Sequence, residues 1–129
     1  MKHEGFAEQL IKKRKESFNM IKLLVRFMKF VNGYFTSSTC TFEWPKNATG
    51  WVVEEIVKAF KIMGLQYSTC FQGCSLGLTN SRGDSLHKSW RVKSTSESFV
   101  NFMAQFTCSK DHSHARVQGS DTVKTGCYS

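Results

Sequence analysis

Two groups of residues in this chain are able to do chemistry. Cys108, His112 and His114 offer a thiol and two imidazoles within one short polar stretch. Zinc accepts such donors at roughly 2.0–2.3 Å, and a fourth donor completes a tetrahedron. Cys127 is the nearest residue that closes the set, with His87, Cys70 and Cys74 as other donors. The spacing matches no standard finger, and surface histidines beside a packed thiol would read the same way. The second group is centred on Glu43, in Phe42-Glu43-Trp44-Pro45. A carboxylate at a strand end, beside an indole, can hold a proton or accept hydrogen bonds from a heterocycle, because burial raises its pKa. It can equally pair with a lysine or cap the helix that follows.

Charge supplies a third kind of candidate. The chain carries a net +8, and residues 1–31 hold eight Lys/Arg against three Glu. Lys12, Lys13, Arg14 and Lys15 form a run, and Lys88, Trp90, Arg91 and Lys93 lie along one expected strand. Cations interleaved with an exposed tryptophan can grip phosphates and stack on a base. Nucleic acid is the expected partner, while a solvated helix face accounts for the same charge.

These residues need elements to hold them. Residues 4–32 carry Phe6, Leu10, Ile11, Phe18, Ile21, Leu24, Val25, Met28 and Val31 mostly at three- and four-residue steps, which predicts a long helix stopping at Asn32-Gly33. Thr39–Glu43 predicts a short strand ending before Pro45. Gly50 to Met63 predicts a helix capped by Asn47 or Thr49, and Leu65–Phe71 a second strand. Such a strand–helix–strand unit closes as a crossover between parallel strands. Ser75–Leu78 reads as part of a hairpin, with Asn80 to Asp84 as turn chemistry. Ser89–Thr95 alternates and predicts an antiparallel strand, and Ser96 caps a final helix to about Phe106.

At 129 residues the chain suits one domain with a modest core. Five cysteines, an odd number, imply free thiols in a reducing compartment, hence an expected intracellular setting, the nucleus among them for a basic protein. Met20–Phe35 is apolar but broken by Lys22, Arg26 and Lys29, so it is neither a signal core nor a membrane span.

Phe42-Glu43-Trp44-Pro45 with Gly50-Trp51, Gly73-Cys74 with Gly77-Leu78, Lys88-Ser89-Trp90-Arg91-Val92 with Ser94-Thr95, and Cys108 with His112-Ser113-His114 together form a pattern. It resembles a methyltransferase-like segment of retroelement polyproteins, from about residue 20 to the end. More distantly, the order of features is similar to the C-terminal half of the catalytic domain of cytosine-5 DNA methyltransferases. There a strand ends in a Phe-Glu-Asn-Val box, a helix follows, and an Arg-bearing strand comes after. The likeness matches Phe42 and Glu43 with the first half of the box and Arg91 with the later strand, while Trp44 and Pro45 depart from Asn-Val. It implies that Glu43 contacts the ring nitrogen of a flipped cytosine. It also implies that the Arg91 strand lies antiparallel between the other strands. A cysteine follows the His-x-His pair by three residues in the resembling segments, where this chain has Val117. The methyltransferase reaction further needs a cysteine in a Pro-Cys box and a glycine-rich turn for S-adenosylmethionine. The only proline here is Pro45, and no cysteine follows it.

The expected fold is therefore α/β: a single three-layer domain over residues 1–129, with a small mixed sheet of about four strands and a βαβ crossover. A basic helix (1–33) precedes an α/β core (39–106) and an irregular tail (107–129). The expected function is that of a truncated, retroelement-derived methyltransferase-like domain. It lacks catalysis and a bound cofactor of its own, zinc aside, and keeps nucleic-acid affinity. A second copy or a complementing polypeptide is an expected partner. The alternative is a small interaction module that docks through its basic N-terminal helix.

Overall fold

The computed structural model describes residues 2–35 and 37–117. Helix α1 runs from Lys2 to Tyr34, 33 residues without a break, and so is about 50 Å long. It passes through the expected Asn32-Gly33 stop by one residue. Residues 5–16 are all exposed, and only the second half of the helix packs on the body of the protein. Ile21 and Met28 are buried there, with Phe18, Leu24 and Val25 beside them.

Strand β1 spans Thr41–Pro45, β2 Tyr67–Gln72 and β3 Ser89–Ser94. They form a three-stranded sheet in the order β1-β3-β2. Both neighbours run antiparallel to β3, with Glu43 opposite Val92 and Thr69 opposite the same residue. Among the described residues, then, the sheet has three strands, against an expected mixed sheet of about four, and every pairing is antiparallel. The outer strands run parallel to each other without touching, and α2 (Glu54–Ile62) lies between them in the chain. Pro45 falls inside β1, not beyond it; an outer strand tolerates a residue with no N–H to donate.

Ser75 and Leu76 fall in a 3-10 turn, Gly73–Leu76, closed by Gly77 at φ +82, and the expected hairpin begins only at Leu78: Thr79 bridges Ser85 antiparallel around the turn from Asn80 to Asp84. A second 3-10 turn, Thr49–Val52, precedes α2, and the cap position is Val53, with no side-chain bond from Asn47 or Thr49. The indole of Trp51 donates to the Pro45 carbonyl at 2.9 Å, which ties that turn to the end of β1.

Alternation along the strands splits the core. On one face Phe42 and Trp44 join Trp51 and Phe60 in an aromatic cluster against α1 and α2. On the other, Phe71, Trp90 and Val92 meet Phe99, Met103 and Phe106 at and beyond α3 (Glu97–Met103). Fully burying each such side chain contributes about 1.5–3 kcal/mol. Ser96 caps α3 as expected, its hydroxyl accepting from the Phe99 amide at 3.2 Å. Buried Ser94 is satisfied by the Thr41 hydroxyl at 2.9 Å and the Ser96 amide at 3.0 Å.

Candidate metal centre

The tail is held to the sheet before it reaches its cysteine. The backbone N–H of Gln72, the last residue of β2, donates to the Phe106 carbonyl at 2.9 Å. The Gln72 side-chain carbonyl in turn accepts from the Cys108 amide. Further on, Ala115 pairs in parallel with Leu86, and its N–H donates to the Ser85 carbonyl at 2.8 Å. Between these two tethers the chain loops through Ser109 to Ser113, turning at Lys110 with φ +61.

Gly73 brings the partner thiol to this loop. A Cβ on Gly73 would sit 2.6 Å from Leu78 Cδ2 and 2.8 Å from Trp90 Cζ3. Those separations are below any real contact, so only glycine lets the backbone cross Trp90 here. The next residue, Cys74, then faces the tail. The Sγ atoms of Cys74 and Cys108 and one ring nitrogen each of His112 and His114 all lie within 4.8 Å of one another.

The individual separations fit one central ion. Cys108 Sγ is 3.7 Å from His112 Nε2 and 3.5 Å from His114 Nε2, and the two Nε2 atoms are 3.1 Å apart. Tetrahedral zinc with ordinary bond lengths sets S–N edges of about 3.6 Å and N–N edges of about 3.3 Å. The surrounding contacts also suit a metal. His112 Nδ1 donates to Asp111 Oδ1 at 2.8 Å, which leaves Nε2 as the lone-pair nitrogen facing the cluster. Asp111 is in turn held by the Ser109 hydroxyl. The Lys110 amide donates to Cys108 Sγ at 3.4 Å, which fixes the side chain toward the cluster.

Electrostatics follow the same arrangement. Hydrogen bonds from Ser109 and His112 hold the Asp111 carboxyl below the usual carboxylate range. Lost hydration, then the neighbouring His112 and His87, push His114 down, toward the neutral imidazole a metal requires. Lost hydration and the Cys108 thiol push Cys74 up, so its thiol gives up a proton less readily than an ordinary one.

Of the expected ligands, Cys108, His112 and His114 come together, and Cys127 lies outside the described residues. Cys74, expected only as an alternative donor, is the fourth donor of the group. Cys70 alternates onto the other face of β2, opposite Arg91. His87 meets the His114 ring edge-on, ring centroids 5.3 Å apart, outside the set of four.

Glu43 sits in the middle of β1, not at a strand end, because pairing with β3 continues through Trp44 and Pro45. Two clefts flank α1, of about 410 and 640 Å³, and Glu43 lines neither. Lys12, Lys13, Arg14 and Lys15 are exposed on the free half of α1. Trp90, a candidate stacking platform, is buried and stacks on Phe71 at 5.4 Å, the commoner fate of a side chain on a covered sheet. It points into the α3 side of the sheet, where Lys88 covers it at 5.1 Å. Arg91 and Lys93 share the other face, over Trp51 at 5.0 Å and Phe60 at 5.8 Å. No known family profile, curated protein or solved structure matches the chain.

Proposed function

We propose that the protein is a zinc-ordered binding module whose ligand is nucleic acid. The observation that carries the metal reading is the four-donor cluster of Cys74, Cys108, His112 and His114. A thiolate–imidazole set of this kind is the ligand chemistry of zinc, and four protein ligands close the coordination sphere. A closed site stabilises structure and leaves no position for a reacting water. Here it would pin residues 108–115 to the turn after β2, joining segments that little apolar packing holds together.

The nucleic-acid reading is supported by the net charge of +8 and by the exposed run from Lys12 to Lys15 on the first half of α1, where Lys13 and Arg14 also rim a cleft with Trp44 and Val52. Contacts of this sort neutralise phosphates without reading bases, so binding would weaken steeply with salt. With Trp90 buried, the expected affinity rests on α1, and Arg91 and Lys93 contribute only from over the aromatic cluster. Descent from a methyltransferase-like segment is the proposed origin, supported by β3 lying antiparallel between β1 and β2, the order that the resemblance implies.

The test has two parts. Protein purified with zinc present should carry about one ion per chain, and cobalt substitution should give the intense visible bands of a tetrahedral thiolate site. Substoichiometric metal, or octahedral cobalt spectra, would refute the centre. Fluorescence anisotropy with a labelled oligonucleotide at low and moderate salt tests the ligand. Affinity that ignores salt, or survives neutralising Lys12, Lys13, Arg14 and Lys15, would refute the nucleic-acid reading.

A further inference from the structure

Helix α1 carries a second apolar face that the fold does not use. Met20, Leu23, Phe27, Phe30 and Tyr34 recur at alternating three- and four-residue steps, and each is between 55% and 73% exposed. At about 100° per residue these positions form one stripe along the second half of the helix. The residues that pack on α2, Ile21, Val25 and Met28, lie roughly on the opposite side. The body of the protein therefore sits behind the stripe and leaves it open to a broad, flat partner. Phe30 and Tyr34 touch each other, ring centroids 4.8 Å apart, which keeps the far end of the stripe aromatic.

Charge selects among partners for this face. Lys22, Arg26 and Lys29 fall between the two apolar sides along one flank, all exposed, and α1 as a whole carries eight Lys/Arg against three Glu. A second copy would bring like charge against like charge. Its stripe would also offer only about two heptads, short of the three or four that a coiled coil needs. An anionic bilayer meets both demands. Leu, Met and aromatic residues enter the headgroup–acyl boundary while Lys and Arg stay at the phosphates. The helix would lie on such a surface, since no helix among the described residues is long and apolar enough to cross a membrane.

We infer that the second half of α1 is an interfacial helix, seating Met20, Leu23, Phe27, Phe30 and Tyr34 in an anionic lipid surface with Lys22, Arg26 and Lys29 at its headgroups. This goes beyond nucleic-acid binding and uses other residues of the helix. The experiment is flotation of the full chain with vesicles of phosphatidylcholine alone and of phosphatidylcholine with phosphatidylserine. It compares the wild type with a Leu23→Gln, Phe27→Gln, Phe30→Gln triple variant and with a Lys22→Gln, Arg26→Gln, Lys29→Gln triple variant. The wild type should bind the anionic vesicles and not the neutral ones, and each triple variant should lose roughly tenfold or more in partitioning. All the substituted residues are exposed, so the thermal midpoint should hold, and oligonucleotide affinity of the apolar variant should stay unchanged. Failure to bind anionic vesicles overturns the inference, as does equal binding by the wild type and the apolar variant. A dimer that the apolar variant abolishes, seen by light scattering, would assign the stripe to a second copy instead and also overturns it.

Discussion

The Nδ1–H of His112 donates to the Asp111 carboxylate at 2.8 Å, and this bond decides which face of the imidazole meets the sulfur of Cys108. A histidine held in this way presents Nε2 with its lone pair free and its ring fixed in orientation toward a metal. Among the described residues, Asp111 bonds His112 and the Ser109 hydroxyl and no other donor of the cluster. Asp111→Asn should therefore keep the fold and weaken zinc by about 10- to 100-fold. Competition with a chromophoric chelator measures this, and an unchanged affinity would show that the ring is oriented by something else.

The identity of the fourth ligand separates two ways of closing the centre. Cys74 lies within 4.8 Å of the other donor atoms, so Cys74→Ser should lose bound metal and Cys127→Ser should retain about one ion per chain. Metal analysis after gel filtration reads both. The reverse result would place Cys127, not the turn after β2, in the coordination sphere.

Acid should strip the ion. Binding displaces protons from both thiols, and lost hydration together with Cys108 makes the Cys74 proton harder to remove than an ordinary thiol proton. Apparent affinity should thus fall by about two decades for each unit of pH lowered near neutrality. His114 is pushed down, so its proton begins to compete only at lower pH than an ordinary histidine's. A chelator titration repeated across pH gives the slope. A flat profile would mean that the sulfurs are not ligands.

Much of the frame is legible locally. Ser89 to Ser94 alternates buried and half-buried side chains in register with its pleat, and Ser96 caps α3 through its own hydroxyl, both short-range properties of the chain. The join between Cys74 and Cys108 is not local. It depends on Gln72 bonding the chain on both sides of Thr107, a contact between segments far apart in sequence that no periodicity announces. The Gly73-Cys74 pair was the available signal, since glycine before a ligand marks a close backbone approach. Ser75–Leu78 misleads as the opening of the hairpin because the turn set by Gly73 and Gly77 delays the pairing to Leu78 and beyond. Glu43 misleads because Pro45 suggests a strand end, and an outer strand can carry proline.

Gly73 offers a direct check on that turn. A methyl group there meets Leu78 and Trp90, both packed on the α3 side of the sheet. Gly73→Ala should cost about 1–3 kcal/mol by overpacking and should also reduce metal affinity by displacing Cys74. Urea unfolding and chelator competition on one variant measure the two effects. Loss of neither would mean that the backbone does not pass over Trp90.

Lys93 tests the electrostatics of the aromatic cluster. Its ammonium lies over Phe60 at 5.8 Å, and lost hydration, then Arg91 and Lys61, pull its pKa below the usual lysine value. The sign follows from proton binding. Between the lowered native value and the ordinary value of about 10.4, the unfolded chain binds more protons than the folded one. Stability contributed by this group therefore rises with pH across that window and is penalised below it. Lys93→Met removes the penalty, so the variant should be the more stable protein near neutral pH, with a lead that shrinks as the pH climbs toward the ordinary lysine value. Urea midpoints of both proteins at two alkaline pH values measure that lead. A lead that stays constant would show that the Lys93 ammonium keeps its full hydration beside Phe60.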